Sequence, residues 1–405
     1  MRHDPLKDPL KDPLADPSDQ FVQNPFAAYA TIRQKAPIWF SKASNQWIIT
    51  GYSEASAILR NPLILSSLMS PAYENEIPEA KPLRLAQLNW ISMLNEPDHS
   101  RIRKPFFDAY SAASAQALKS RIDSEVEELL EQISDRASFD GLYNYAAPLT
   151  TALLAHWFGV SAEDEVEFRR AAHFTASHFS PLQPGFVRPS FVASEKLLAL
   201  IDKMMIIRET SAIDSSNLVS LMLTHVGSGV SKTEIRDNML LTIFASYETV
   251  IHLISNGIYA LLTNPSQLLL LRQEPERISD VLDEALRFAG PVQMLVRNVK
   301  ADFSIEDNLF KAGDRLTIVL AAANRDPREF ENPEEFQIDR PNKKHLAFGH
   351  GPHYCVGNHL AKLQAQSAIA GIVKKFPDLH LSSMPEYHPS IGIRGLLALP
   401  LSTGN

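Results

Sequence analysis

The chain has 405 residues, of which 45% are hydrophobic and 21% charged, so a wholly disordered, collagen-like or polytopic membrane protein is excluded. Lys and Arg number 39 against 47 Asp and Glu, and the net charge of −8 argues against a general nucleic-acid-binding protein. The single cysteine, Cys355, excludes a disulfide within the chain and a CxxC zinc site.

The first twenty residues contain Asp-Pro-Leu three times at a spacing of four residues, beginning at Asp4, Asp8 and Asp12. Proline at every fourth position opposes helix and sheet, so we predict a disordered leader over residues 1–20 and one domain over 21–405. The leader shows no apolar segment of the signal-peptide type, and polar residues interrupt the longest apolar stretch. We therefore expect a cytoplasmic protein that does not bind a membrane.

Helical periodicity dominates the rest of the chain, and Ser231 with Glu234 forms a capping box at the start of the longest predicted helix. Helices are predicted at 25–35, 53–60, 97–112, 115–133, 145–158, 162–179, 190–209, 218–225, 231–262, 265–272, 278–288 and 358–376. Strands are predicted at 38–40, 47–50, 295–298, 303–305, 316–319 and 397–401. The pattern predicts a mainly α fold, a single large helical unit with small β-sheets at its edges.

Cys355 lies in the glycine-rich segment Phe348-Gly-His-Gly-Pro-His-Tyr-Cys-Val-Gly357, directly before the last predicted helix. Glycine permits tight turns and close approach of the backbone to a flat ligand, and the amides of a helix start favour an anionic sulfur. A large planar cofactor ligated by a thiolate fits this design. The alternative is an inert cysteine in a tight turn, which is disfavoured because the spacing fixes four residue types in ten positions.

This segment resembles the haem-binding loop of cytochrome P450 enzymes, in the form of the soluble bacterial members, and the resemblance extends from residue 20 to the end of the chain. It implies that Cys355 is the axial thiolate of haem b iron. It also implies that Phe348 packs over the sulfur side of the ring, with Gly349 and Gly357 in the same binding loop. The activity implied is oxygen-dependent monooxygenation.

Two further segments resemble the same family. Glu284-Ala-Leu-Arg287 is similar to its Glu-x-x-Arg signature, and residues 324–340 are similar to its meander, with Arg340 completing a buried structural network. Glu167–Arg170 and Glu274–Arg277 share the Glu-x-x-Arg spacing and are interpreted as exposed pairs of little energetic value.

Haem carries two propionates, which need cationic or donor partners when they are buried. Four residues match the family positions of such partners: His99, Arg103, Arg297 and His353. His99 and Arg103 lie four residues apart, so on a helix they share one face.

An acid and an alcohol, Glu248 and Thr249, follow Ala245 on a mostly apolar face of the longest helix, where they are costly without a role. The resemblance implies that this face borders the haem. Thr249 would then hold oxygen by a hydrogen bond, and Glu248 would help water to deliver protons. The alternative is that Thr249 bonds back to its own helix and Glu248 is paired elsewhere. Ser246 replaces the family's usual glycine, and it either tunes proton delivery or reduces productive oxygen binding.

A hydrophobic small-molecule substrate, of the secondary-metabolite class, is expected from the apolar character of the predicted distal wall. The resemblance implies that this wall comprises loop 61–96, the connection 180–188, the Ala245 face of the longest helix, and residues 292–295 and 391–393. The reaction is hydroxylation, epoxidation or oxidative coupling, which the motifs do not separate. The predicted lining residues are Trp90, Ile91, Leu94, Leu241, Phe244, Val292, Met294, Ile391 and Ile393, with Gln293 as one polar contact.

Electrons are expected from a separate ferredoxin and its reductase, because one cysteine cannot hold an iron–sulfur cluster and the length leaves no room for a flavin domain.

Two other interpretations stay open, a peroxide-driven haem enzyme and a non-catalytic haem-based sensor or ligand carrier. We expect a monomer. Five basic side chains are expected on the sulfur side of the haem: Arg101, Lys104, Lys343, Lys344 and Lys362. They either form a patch that steers an acidic redox partner or are simply solvated.

Overall fold

The computed structural model describes residues 12–15, 17–66, 77–175, 184–214 and 216–404, with the backbone alone for 184–187. Contacts divide the chain into two compact units. The first unit comprises Met1–Ser67, Thr263–Cys355 and Glu386–Leu397, and the second comprises Leu68–Leu262, Val356–Pro385 and Ala398–Asn405. The prediction of one domain over 21–405 stays a prediction. In the part of the chain that the structure describes, none of the helices is both long and apolar enough to cross a membrane.

Helices supply most of the regular structure, as predicted. The helices are α1 (Asp19–Gln23), α2 (Phe26–Lys35), α3 (Tyr52–Arg60), α4 (Lys81–Gln87), α5 (Asp98–Ala109), α6 (Ala112–Ala117), α7 (Lys119–Gln132), α8 (Ala147–Phe158), α9 (Glu165–Thr175), α10 (Pro184–Glu209), α11 (Leu218–Leu223), α12 (Lys232–Leu262), α13 (Pro265–Gln273), α14 (Ile278–Ala289), α15 (Leu320–Ala323) and α16 (Asn358–Lys375). The strands are β1 (Ile38–Ser41), β2 (Gln46–Ile49), β3 (Ile64–Ser66), β4 (Ser138–Asp140), β5 (Leu295–Val299), β6 (Phe303–Ile305), β7 (Asn308–Phe310), β8 (Arg315–Ile318), β9 (His380–Leu381) and β10 (Pro400–Ser402).

A five-stranded sheet in the order β1-β2-β8-β5-β3 organises the first unit. Strand β2 pairs in parallel with β8, and the other neighbours are antiparallel. Successive side chains of a strand point to opposite faces, and Ile48 and Ile49 accordingly enter two different hydrophobic clusters, both with no exposed surface. The sheet is therefore covered on both faces, which explains why β2 reads as an apolar run rather than as an alternation.

The long helix α12 runs through the second unit and is buried on most of its circumference. The predicted capping box is confirmed, because the Ser231 amide donates to Glu234 Oε2 at 2.7 Å and the Glu234 amide donates to Ser231 Oγ at 3.2 Å. A small sheet in the order β4-β10-β9 completes this unit.

The structure differs from the sequence predictions at several places. Helix α5 ends at Ala109, before the predicted end at residue 112, and the predicted helix 115–133 is divided into α6 and α7. Helix α6 begins at Ala112 because the Ser111 side chain caps it by accepting from the Ser114 amide. Strand β6 pairs with the neighbouring β7, which the sequence analysis did not predict, and the predicted strand 316–319 lies in the larger sheet as β8. The predicted strand 397–401 begins only at Pro400. Helix α4 lies inside the stretch predicted as the loop 61–96, of which residues 67–76 are outside the described residues.

The structure also differs from the predicted disordered leader over residues 1–20. Residues 1–11 and 16 lie outside the described residues, but Asp12 is only 5% exposed and α1 begins at Asp19. Ordered structure therefore begins before the predicted boundary at residue 20.

Candidate functional site

The loop that carries Cys355 is closed by its own backbone. The Cys355 amide donates to the Phe348 carbonyl at 2.9 Å, and the Gly349 amide donates to the Leu346 carbonyl at 2.8 Å. Gly349 and Gly351 both have φ of 73°, in the left-handed region that favours glycine. A Cβ at Gly351 would lie 2.3 Å from the Leu59 carbonyl oxygen, so no larger residue fits there. The half-buried Cys355 is consequently held in one defined position.

Two other positions of the loop were predicted to contact a cofactor. The Phe348 ring is half-buried, with its centroid 5.9 Å from that of His345 and 6.2 Å from that of Tyr354. A Cβ at Gly357 would make only an ordinary contact with Tyr110, at 3.6 Å. The protein around Gly357 therefore leaves room for a side chain, and a flat ligand against the backbone would account for the glycine.

Arg297 is a cation without a carboxylate partner among the described residues. It lies on β5, where its Nη1 donates to the carbonyl of the adjacent Val296 at 2.8 Å. Burial lowers the pKa of Arg297 to about 10. A desolvated guanidinium of this kind is costly unless an anion accompanies it, so Arg297 fits a propionate-binding role. His353, the other predicted propionate partner in this unit, lies in the 3₁₀ turn Gly351–His353.

The predicted network of Glu284, Arg287 and Arg340 is confirmed within the first unit. Arg287 donates to the two Glu284 oxygens from Nε and Nη2, both at 2.7 Å, and Arg340 Nε lies 3.3 Å from Glu284 Oε2. Arg287 also donates to the carbonyls of Asn324, Pro333 and Glu335. All three charged side chains are at most 4% exposed. The network thus fastens the irregular segment 324–340 to α14.

In the second unit, His99 and Arg103 lie on α5, as predicted. His99 is buried, and its Nδ1 lies 3.3 Å from Glu96 Oε1. Burial is the largest effect on His99 and lowers its pKa; the Glu96 carboxylate opposes this shift, and the neighbouring Arg103 adds to it. The pair therefore offers a neutral imidazole and a cation side by side, which are suitable donors for an anion.

The acid–alcohol pair on α12, Glu248 and Thr249, agrees with one alternative for each residue: Thr249 bonds to its own helix, whereas Glu248 is not paired elsewhere. The Thr249 hydroxyl donates to the Ala245 carbonyl at 2.5 Å, so it bonds back to its own helix. Glu248 is not paired elsewhere, because Oε2 has no hydrogen-bond partner among the described residues and Oε1 lies 4.0 Å from His252 Nε2. Burial raises the pKa of Glu248 to about 8. Glu248 therefore carries a proton at neutral pH.

The surface beside this pair is open within the second unit. Ala245 is exposed, and Ser246 and Thr249 are half-buried, although α12 is otherwise mostly covered. Ser246 thus borders the same open face as the relay candidates, where the family's usual glycine would have left more space.

We expect the titration of Glu248 to lower the stability of the protein as the pH rises. The folded-state pKa of about 8 lies above the ordinary value of 4.5, so folding favours the protonated form. This contribution is complete below about pH 4.5 and is lost as the pH rises through about 8. At about 1.4 kcal/mol per pKa unit, the loss is on the order of 5 kcal/mol at most.

The measurement is the free energy of unfolding in urea, determined at a series of pH values for the wild type and for Glu248→Gln. The decrease in this free energy with rising pH that Glu248 causes is expected to be absent from the variant. Glu195→Gln, which removes an exposed carboxyl from α10, is the control and is expected to keep it. Equal slopes in wild type and Glu248→Gln would contradict the assignment.

The predicted substrate contacts stay predictions, and the structure buries several of these residues. Trp90, Phe244 and Ile91 are 1%, 1% and 6% exposed, and the Trp90 and Phe244 rings pack on each other with centroids 5.3 Å apart. These side chains form core, because apolar periodicity does not distinguish a core face from a pocket wall. Gln293 is also buried, and its Nε2 donates to the Gly290 carbonyl at 2.7 Å. The remaining candidates are half-buried: Leu94, Leu241, Val292, Met294, Ile391 and Ile393.

A polar clamp that the sequence analysis missed attaches residues 89–91 to α12. Asn238 Oδ1 accepts from the Ile91 amide at 2.8 Å, and its Nδ2 donates to the Asn89 carbonyl at 2.6 Å. The Asn89 side chain in turn donates to Asp237 Oδ2 at 2.7 Å. Two adjacent polar residues on a buried helix face, Asp237 and Asn238, were the available signal, since buried polar groups need partners.

The predicted basic patch is partly neutralised by neighbouring acids. Arg101 donates to Asp98 and Glu234, and Lys343 pairs with Asp280. Both side chains therefore contribute less positive potential than the sequence suggested, while Lys104 and Lys344 are exposed.

Comparison with known proteins identifies the family. The cytochrome P450 family model matches residues 84–390. The biotin biosynthesis cytochrome P450 of Bacillus subtilis is 31% identical over 95% of this chain and 98% of its own length. The polyketide biosynthesis cytochrome P450 PksS of the same organism is 29% identical over 95% and 96%. The crystal structure of P450BioI with a hexadec-9Z-enoic acid-ligated acyl carrier protein superposes with a TM-score of 0.88, at 30% identity over 95% and 99% of the two chains.

The chain belongs to the cytochrome P450 family, and the fold is that of the family. It is a monooxygenase of this family, whose members are haem enzymes. The residues present fit that cofactor: a thiol in a defined position, a glycine at 357 where a Cβ would make only an ordinary contact with Tyr110, and a desolvated Arg297 with no carboxylate partner among the described residues.

Proposed function

We propose that the protein oxidises a hydrophobic small molecule of secondary metabolism, at haem b ligated by Cys355, with electrons from a separate ferredoxin and its reductase. One atom of O₂ enters the substrate and the other leaves as water, which consumes two electrons and two protons. The position of Cys355 carries this proposal, because its loop is closed by the Cys355–Phe348 backbone bond and admits only glycine at residue 351. The thiolate-ligated iron supplies the oxygen activation.

The propionates are assigned to Arg297 and His353 in the first unit and to His99 and Arg103 in the second. Arg297 has the strongest support, because it is desolvated and has no carboxylate partner among the described residues. His99 contributes as a neutral donor and Arg103 as a cation. Phe348, Gly349 and Gly357 would contact the ring from the cysteine loop, and Ala245 would face it from α12.

Glu248 is the proposed proton carrier. Its raised pKa keeps a proton on the carboxyl at neutral pH, and Oε2 is not committed to any described residue. Thr249 would take part by exchanging its bond to the Ala245 carbonyl for one to oxygen or water. Ser246 adds a second hydroxyl on the same open face, which we assign to tuning proton delivery.

The half-buried apolar residues support a hydrophobic substrate, and the known relatives point to lipid-like and polyketide compounds. Among those relatives are a polyketide biosynthesis P450 and 6-deoxyerythronolide B hydroxylase of Saccharopolyspora erythraea. A structure of a similar protein, CYP109E1 from Bacillus megaterium, contains corticosterone. A panel of long-chain fatty acids, macrolactones and steroids therefore samples the relevant chemistry.

The test combines binding with turnover. Binding of a panel compound is expected to shift the haem spin state, and the haem-loaded protein with ferredoxin, its reductase and NADPH is expected to add one oxygen atom to that compound. Turnover with hydrogen peroxide but not with reduced ferredoxin would replace the proposal by a peroxide-driven enzyme. Tight binding without turnover under either condition would favour a sensor or carrier.

We expect Thr249→Ala to uncouple electron consumption from product formation. Loss of a positioned proton-transfer group typically costs about 100-fold or more in the affected step, so product per NADPH should fall strongly while NADPH oxidation continues. The measurement is the ratio of product to NADPH, together with the hydrogen peroxide released.

Ser255→Ala is the matched control for this substitution. The Ser255 hydroxyl also bonds back within α12, to the Ile251 carbonyl at 3.0 Å, but it is fully buried. Its loss should leave the coupling unchanged. Unchanged coupling in Thr249→Ala would exclude Thr249 from the relay.

A further inference from the structure

The connection between β1 and β2 holds the carboxylate of Asp12. Asp12 Oδ2 accepts from the hydroxyls of Ser41 and Ser44, the latter at 2.6 Å, and Oδ1 accepts from the Leu14 amide at 2.9 Å. Ser41 has no exposed surface and Asp12 is 5% exposed. Among the described residues Asp12 forms no ion pair, so these charge-assisted hydrogen bonds alone compensate its burial.

The two residues after Asp12 complete the contact. Leu14 packs against the hydrophobic cluster that includes Phe21, Tyr29 and Ile48. Pro13 separates the acid from the apolar residue and fixes the backbone of the tripeptide. The site thus recognises a carboxylate, a rigid spacer and an apolar side chain, which are the features of the tripeptide Asp-Pro-Leu.

The same tripeptide occurs three times in the leader, beginning at Asp4, Asp8 and Asp12. We propose that the β1–β2 connection is a binding site for Asp-Pro-Leu, and that the three copies are alternative ligands of this one site within the same chain. Only one copy occupies the site at a time, and the leader is held by whichever copy is bound.

Loop length sets the preference among the copies. Four residues, 15–18, separate Leu14 from the start of α1, and binding of the Asp8 or Asp4 copy lengthens this connection to eight or twelve residues. Loop-closure entropy then disfavours the Asp8 copy about 3-fold and the Asp4 copy about 5-fold. The Asp12 copy is preferred, and the binding constants of the other two copies for the site add up to roughly half of its own.

Hydrogen–deuterium exchange of residues 41–46 in the haem-loaded protein measures occupancy, because the bound carboxylate secures the Ser41 and Ser44 side chains. Asp12→Ala is expected to reduce the ratio of bound to unbound leader only about 3-fold. The triple substitution of Asp4, Asp8 and Asp12 by alanine is expected to abolish binding. Asp16→Ala is the matched control, because Asp16-Pro17 is followed by serine rather than leucine; it should have no effect.

A second measurement uses the triple variant and a labelled peptide, Lys-Asp-Pro-Leu-Lys. The peptide is expected to bind, and its scrambled form Lys-Pro-Asp-Leu-Lys and the additional substitution Ser44→Ala are each expected to remove binding. The proposal is overturned if Asp12→Ala alone exposes residues 41–46 as fully as the triple variant, because the upstream copies then do not bind. It is also overturned if the triple variant keeps full protection.

Discussion

Replacing Cys355 by serine is expected to abolish monooxygenase turnover and to change the absorption spectrum of the reduced, carbon-monoxide-bound protein. Serine retains the size and the backbone bond to Phe348 but removes the thiolate, which is the electron-donating ligand. The spectrum reports the loss directly, and product formation with ferredoxin should fall to background. A thiolate-type spectrum in Cys355→Ser would disprove the assignment of the iron ligand, because the chain contains one cysteine.

The neighbouring Tyr354→Phe variant is the control for this substitution. Tyr354 is 39% exposed and next to Cys355, so its change perturbs the same loop without removing the thiol. It should retain the thiolate spectrum and most of the activity. Far-ultraviolet circular dichroism separates loss of the ligand from loss of fold, since serine leaves the loop's backbone hydrogen bonds intact.

Features encoded in short sequence segments were predictable. The Cys355 loop depends on glycines within a few positions, and two of them adopt positive φ in the structure. The Glu284–Arg287 contact follows from three-residue spacing on a helix, and the capping box of α12 depends on Ser231 and Glu234 alone. In each case the residues that make the contact are neighbours in the chain, or the family resemblance supplied the distant partner, as for Arg340.

Features that depend on distant contacts were not predictable. The packing of the Trp90 and Phe244 rings on each other joins residues more than 150 positions apart in the sequence, so no local pattern predicts it. The direction of the Thr249 hydroxyl depends on a choice between its own helix and an outside acceptor, which residue types do not reveal. The short strands β3, β4, β7 and β9 contain two or three residues and owe their conformation to pairing partners elsewhere in the chain.

Glu284→Gln is expected to have the largest effect on stability among the substitutions considered, a loss of about 3–5 kcal/mol in the free energy of unfolding. The Glu284 carboxylate accepts from Arg287, Arg340 and the Gln337 amide in a buried site. Glutamine keeps the shape but leaves the two buried guanidinium groups without a counter-charge. The 324–340 segment should then loosen from α14, and the urea-unfolding midpoint of the haem-loaded protein should fall.

The chain supplies a matched control with the same Glu-x-x-Arg spacing. Glu274 and Arg277 also form an ion pair, but their side chains are 42% and 32% exposed. Glu274→Gln should therefore cost less than about 1 kcal/mol, as exposed pairs do. Burial, rather than spacing, would then account for the difference between the two variants. Equal small losses would show that the Glu284 network is dispensable, and equal large losses would show that the spacing alone is sufficient.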